Sequence, residues 1–264
     1  MSRYASERSA RFYAQTYDVS VPDWPGEIAF YRALAEEACA DGTPVLELAC
    51  GTGRVAIQLA QADVEVVGLD LSRDMLDVAR AKSSEPTNLR WVEGDMRSFD
   101  LGEAFGLIII PGHAFQNLLT PEDQLACLRS IKQHLVREGV LVVHLDHPNV
   151  DWLGDLIKDK GNVFEEAEQF QHPETGRQVR TFRSWSYEPS TQTAIVQTVW
   201  EEIDADGRTV DRWESGPIRI HCVFRFEMEH LLNLAGYDFE AVYGDFFRGE
   251  LTDESEEMVW VARG

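Results

Sequence analysis

VLELACGTGR (45–54) is the stretch whose reading decides the fold. PVLELA (44–49), after Asp41-Gly42, is a short apolar run that predicts a buried strand. Gly51-Thr52-Gly53 follows it, and 53–62 then reads as a helix. Glycine lets a backbone turn tightly and approach a ligand without a Cβ clash. The helix after such a turn presents free N–H groups and the positive end of its dipole, which suits an anionic group. The turn alone does not name the ligand. With Ala56 it also satisfies the G-x-G-x-x-A pattern of dinucleotide enzymes, and a plain strand-to-helix turn is the bland alternative.

Outward from the turn, strands and helices alternate. EIAFYRALAEEACA (27–40) places apolar residues three and four apart and predicts a helix. VEVVGLD (64–70) predicts the second strand, and Ser72 caps a helix over SRDMLDVARAK. LRWVEGD (89–95) and FGLIII (105–110) predict two more strands, the latter stopped by Pro111-Gly112. Thr120 followed by Pro121 and Glu122 starts a helix running to about Arg137, and GVLVVHLD (139–146) predicts a fifth strand. This order implies βαβ units and a parallel sheet.

Beyond Pro148 the pattern changes to four strand-like stretches, about 162–171, 177–188, 193–204 and 209–224. Turn signals separate them at HPETG (172–176), EPST (188–191) and DADG (204–207), so an antiparallel meander is expected. A helix over 226–236, closed by Gly236, and strands over 237–244 and 258–262 complete the chain. The domain reading is one core from 1–160 and 225–264, with 161–224 inserted as a sheet that covers the substrate.

Two of the predicted strands end in acids. Asp70 closes the second strand, 17 residues after Gly53, where a carboxylate can accept both hydroxyls of an adenosine ribose. The third ends in Gly94-Asp95-Met96, placed to read an adenine edge, with Leu71, Met75 and Met96 available to sandwich the ring. Open α/β sheets bind ligands at such carboxyl ends.

The ordered set LELACGTGR, VVGLDLSRDMLDVAR, VEGDMRSFDLG, FGLIIIPGHAFQNLLTPEDQ and LVREGVLVVHLDHPN closely resembles the class I S-adenosylmethionine-dependent methyltransferases. The resemblance implies a Rossmann-like, doubly wound, seven-stranded sheet ending in a reversed hairpin, with the antiparallel β meander as its insertion. It implies methyl transfer from S-adenosylmethionine to a nitrogen or oxygen of a small molecule. The FYAQTYD start and the meander are similar to enzymes acting on sugar amines or glycine. By the same resemblance Glu47, Ala49, Gly51 and Gly53 surround the methionine part of the cofactor, and Arg54 faces its carboxylate. Asp70 holds the ribose, Leu71 and Met75 flank the adenine, and Asp95 and Met96 read its edge. Pro111 lies near the sulfonium, and Tyr17 closes over the cofactor. Relatives often carry a His where this chain has Asn117. An NAD(P)-dependent oxidoreductase is the alternative, disfavoured by the GDM turn and by the lack of a Tyr-x-x-x-Lys motif. A non-catalytic cofactor-binding protein is a second alternative, disfavoured by the intact glycine turn and both acids.

Tyr17, His113 and His147 are the candidate catalytic residues, for taking a proton or lining the acceptor pocket. His144 and Asp146 share one face of the fifth strand. With His147 they are a conceivable metal set, but methyl transfer requires none and no metal is expected.

Composition bounds the partners. The chain has 264 residues and a formal net charge of −22, and only 4 of its 24 basic residues are Lys. Such a surface repels phosphate backbones and anionic membranes, so neither nucleic acid nor membrane is expected. The four cysteines show no CxxC spacing and predict reduced, mostly buried thiols. With no signal-like or membrane-spanning run, a cytoplasmic monomer or homodimer is expected.

Overall fold

The structure is a computed structural model describing residues 5–21, 23–83, 88–159 and 163–264. It divides into two compact units. One comprises Asp23–Pro148 and Val223–Gly264, the other Met1–Pro22 and Asn149–Cys222.

The first unit is built on a seven-stranded sheet. In chain order its strands are β1 (Val45–Leu48), β2 (Val66–Asp70), β3 (Leu89–Glu93), β4 (Phe105–Ile110) and β5 (Leu135–Asp146), then β11 (Asp238–Tyr243) and β12 (Glu257–Arg263). Their spatial order is β11-β12-β5-β4-β1-β2-β3. β1 to β5 run parallel, and β12 runs antiparallel to both β5 and β11, which is the expected reversed hairpin.

Both faces of the sheet are covered, so its central strands are apolar at every position. Ile108 and Ile110 of β4 pack on one side, with Leu128 and Ile131 of α5 (Pro121–His134) and Leu231 and Leu232 of α7 (Arg225–Ala235). Leu107 and Ile109 pack on the other side, with Tyr31 and Leu34 of α2 (Glu27–Ala38) and Val55 and Leu59 of α3 (Arg54–Gln61). Each such side chain, fully buried, contributes about 1.5–3 kcal/mol.

Local signals hold where they were explicit. Ser72 accepts the Met75 N–H at the start of α4 (Arg73–Lys82), Thr120 accepts the Asp123 N–H under α5, and Gly236 ends α7 at φ 82°. α5 stops at His134, short of Arg137, because Leu135 already pairs with Phe105.

The second unit carries β6 (Glu165–Gln171), β7 (Gln178–Glu188), β8 (Thr193–Ile203), β9 (Thr209–Glu214) and β10 (Ile218–His221), all antiparallel. Five strands form where the sequence predicts four. The stretch expected over 209–224 is broken by Gly216-Pro217, and both pieces pair with β8. Proline has no N–H for a ladder.

This unit is also wider than the expected 161–224. It takes in α1 (Glu7–Ser20) and α6 (Val150–Asp159), helices the sequence reading did not predict. Phe12 of α1 stacks on Trp213 with ring centres 4.0 Å apart and packs with Phe170, Val179 and Trp200. Trp152 of α6 meets Trp185 of β7 edge-on. Residues 160–162, where the sequence boundary falls, lie outside the described residues. Among the described residues no disulfide forms, and no helix is long and apolar enough to cross a membrane.

Candidate active site

In this doubly wound order the chain connections reverse direction between β1 and β4, the switch point outside whose carboxyl ends open α/β sheets bind their ligands. The loop after each of these strands holds a non-glycine residue in the left-handed region, Ala49 at φ 54° and His113 at φ 60°. Such strain persists only where surrounding contacts hold it, and it clusters at functional sites.

The two glycines of the first loop do different work. Gly51 has φ 56°, and a Cβ built on it meets nothing within 4 Å. Gly53 has φ 77°, and a Cβ there falls 2.4 Å from the Trp91 ring. Gly51 therefore faces open space, whereas Gly53 is required by packing. The Gly51 N–H donates to Asp70 Oδ2 at 2.7 Å, and the Ser72 N–H donates to Oδ1 at 2.7 Å. Asp70 thus ties the ends of β1 and β2 together.

Glu47 is buried at the end of β1, and burial pushes its carboxyl up to about 8 despite the Arg54 charge. Its Oε2 has no hydrogen-bond partner among the described residues. Arg54 holds Glu27 through two bonds, 2.5 and 3.0 Å long, and its guanidinium lies 5.1 Å from the centre of the Trp24 ring. Its charge is committed to a buried acid, so the role expected from the resemblance, facing the cofactor carboxylate, competes with that pair.

The adenine-side candidates are mixed. Leu71 is 68% exposed, unusual for a large apolar side chain just past a strand end. Met75 is buried on α4, and Met96 packs against the core. Asp95 accepts three bonds from the Arg97 guanidinium, at 2.6, 3.0 and 3.0 Å. Those bonds hold its carboxyl below the ordinary range. Pro111 is buried at the end of β4.

After Pro111 comes a cluster the sequence showed only in part. Glu257 Oε2 lies 2.6 Å from His113 Nε2 and 2.7 Å from His144 Nε2, and the two nitrogens are 3.2 Å apart. The Trp24 indole N–H donates to Glu257 Oε1 at 2.7 Å, and its ring meets both imidazoles edge-on. Glu257 and Trp24 were not among the predicted residues. The register of β12 on β5 sets Glu257 opposite Asp146 and diagonal to His144, a relation with no local signal.

Of the other candidates, His147 donates from Nδ1 to the Ser255 carbonyl at 2.8 Å and so links β5 to the segment before β12. Tyr17 belongs to the second unit, on α1, edge-on to Tyr13. The second unit also has a groove of its own on the β7–β8–β9 face, lined by Phe164, Phe182, Val199, Glu201 and Arg212 among others.

The comparisons agree with this fold. Residues 45–139 match the family described as Methyltransferase domain. The chain is 27% identical to the Bacillus subtilis protein YqeM, named as a methyltransferase, over 83% of each chain. It is 31% identical over 134 residues to the dTDP-3-amino-3,6-dideoxy-alpha-D-glucopyranose N,N-dimethyltransferase of Streptomyces fradiae, a match spanning 51% of each chain. Among solved structures, the CcbJ methyltransferase of Streptomyces caelestis superposes with a TM-score of 0.76 at 26% identity, over 96% of this chain and 98% of that one. The chain is an enzyme of the methyltransferase class. More narrowly, its methyl donor is S-adenosylmethionine, and residues 45–139 carry the methyltransferase domain.

Proposed function

We propose that the acceptor is the amino group of a small sugar, presented as a nucleotide-linked amino sugar. The observation that carries the cofactor half is the open space at Gly51 beside Asp70. The backbone can be approached there, a carboxylate stands beside it, and the exposed Leu71 offers an apolar surface. Bound S-adenosylmethionine supplies a methyl carbon made electrophilic by its sulfonium. In this reading the protein's own groups do the rest. Asp70 holds the ribose hydroxyls, Leu71 and Met75 flank the adenine, and Asp95 with Met96 reads its edge. Glu47, Ala49, Gly51 and Gly53 surround the methionine part, with Pro111 beside the sulfonium. A bound ammonium next to the Glu47 carboxyl would give its unpartnered oxygen a donor.

The acceptor half is supported by the likeness to the Streptomyces fradiae amino-sugar enzyme. The net charge of −22 favours a small acceptor over nucleic acid.

Titration calorimetry with S-adenosylhomocysteine tests the cofactor half. Binding is expected in the micromolar range, and Asp70→Ala is expected to weaken it about 100-fold, roughly the value of a charged hydrogen-bond pair. Binding of NADH in its place would overturn the reading. Label from methyl-labelled S-adenosylmethionine should pass to dTDP-3-amino-3,6-dideoxyglucose and not to dTDP-glucose. Transfer to the hydroxyl compound alone would move the acceptor atom from nitrogen to oxygen.

A further inference from the structure

The hydrogen bonds around Glu257 fix where the protons of the two histidines sit. A backbone amide only donates, and the Gly112 N–H lies 3.2 Å from His144 Nδ1. That nitrogen must therefore carry a lone pair, which puts the proton of neutral His144 on Nε2, facing Glu257 Oε2. Burial holds His144 neutral by pushing its imidazole down to about 4. Burial also pushes the Glu257 carboxyl up, but the two imidazole bonds outweigh it and keep the group at about 2. A carboxylate only accepts, so His113 Nε2 is also an N–H. With the Trp24 indole, Glu257 thus gathers three N–H donors.

One nitrogen of the cluster is left over. His113 Nδ1 makes no hydrogen bond among the described residues, and with the proton on Nε2 it holds a lone pair. The side chain is 26% exposed, while that of His144 is fully buried. His113 stands in the loop after β4, at the point where the chain connections reverse. Trp24, against which its ring packs, leads through Arg54 to the glycine turn.

Two histidines and a glutamate so close together also have the composition of a metal site. The proton pattern opposes that use. A histidine that binds a cation through Nε2 carries its proton on Nδ1, usually donated to a second group. In His144 that position already receives the Gly112 N–H, and two donors would collide.

We propose that His113 Nδ1 accepts the proton released by the methylated amine, and that Glu257, anchored by Trp24 and His144, is the positioning residue that keeps the other His113 proton on Nε2. The proposal rests on the amine methyltransferase reading above. The acceptor nitrogen gives its lone pair to the methyl carbon as the carbon–sulfur pair leaves with sulfur. The nitrogen, now cationic, loses an N–H proton to Nδ1. The imidazolium so formed keeps its second N–H on the Glu257 carboxylate, which offsets the new charge. Departure of the thioether and return of the proton to water restore the site.

The test is imidazole nitrogen NMR on histidine-labelled full-length protein, with and without S-adenosylhomocysteine, read beside kinetics with dTDP-3-amino-3,6-dideoxyglucose. Both His113 and His144 should show a protonated Nε2 and a bare Nδ1, and Glu257→Gln should turn His113 into a mixture of tautomers. His113→Asn keeps a side chain that tolerates positive φ. It should lower kcat about 100-fold or more with S-adenosylhomocysteine affinity unchanged, and Glu257→Gln should lower kcat at least about 10-fold. Glu257→Asp should recover part of that loss, which a purely structural role would not predict. A proton on His113 Nδ1 would overturn the proposal. So would stoichiometric zinc shifting both imidazoles, or an undiminished kcat in His113→Asn. In all three cases the methyltransferase reading stands if S-adenosylhomocysteine binds. Failure of that binding removes the reading itself.

Discussion

The glycine turn of the first unit and the aromatic face of the second are held by opposite means. Around Gly51 the contacts are polar and short in sequence. Asp70 reaches 19 residues back to one amide and two residues forward to another. Around Trp213 they are apolar and distant, because Phe12, near one end of the chain, completes a cluster drawn from β6, β7, β8 and β9. The first region is specified by a motif and stays open to a ligand. The second is specified by bulk and is closed by packing. Rossmann-like units can therefore be recognised from one strand–turn–helix, while an inserted meander is recognised only by its period.

This comparison makes predictions that can break it. The largest effect is expected for Phe12→Ala, which removes the ring stacked on Trp213 and should cost the second unit about 3–5 kcal/mol. Hydrogen exchange would report it as faster exchange across β6 to β9, with slow exchange retained in β1, β4 and β5. Equal acceleration in both sheets would show that the units share one cooperative transition.

A smaller loss is expected for Gly53→Ala. The new methyl meets a Trp91 ring held by its own bond to Ser83, and φ is left-handed, for a combined cost of about 3 kcal/mol in denaturant unfolding. Gly51→Ala, in open space, should lose only about 1 kcal/mol of stability but weaken S-adenosylhomocysteine binding about 10-fold or more. If the two glycines exchanged these signatures, the division between a packing glycine and a ligand-facing one would be wrong.

A further test is pH. The folded Glu47 keeps its proton to about 8, whereas the unfolded chain loses it near the ordinary glutamate value of 4.5. The folded state therefore binds more protons between those limits, and its stability falls as pH rises through that window, by at most about 1.4 kcal/mol per pH unit. Urea midpoints of Glu47→Gln should fall less steeply over the same range. Parallel curves for both proteins would show that Glu47 ionises freely.

Much of the first unit was readable in order. The strand predicted over 105–110 forms with those bounds, and the Ser72 and Thr120 caps bond as their spacing requires. These features depend on residues within one turn or one strand. The misses share a cause. α1 has few buried residues of its own and gains its apolar partners only from the meander, so its pattern alone looked weak. The break at Gly216-Pro217 sat inside a stretch whose alternation continued on either side. Glu257 ends a run of acids, DESEE (253–257), and gains its partners only where β12 pairs with β5.

The sequence by itself determined the glycine turn, the acid at the end of β2 and the alternation that makes the sheet parallel, because neighbouring residues supply the turn, the cap and the hydrophobic period. Only the tertiary structure decided that Gly51 is open while Gly53 is filled, that Arg54 is spent on Glu27, and that His113 shares a carboxylate with His144. Each of those outcomes depends on which distant side chain occupies the space beside it, and chain closure sets that, not local preference.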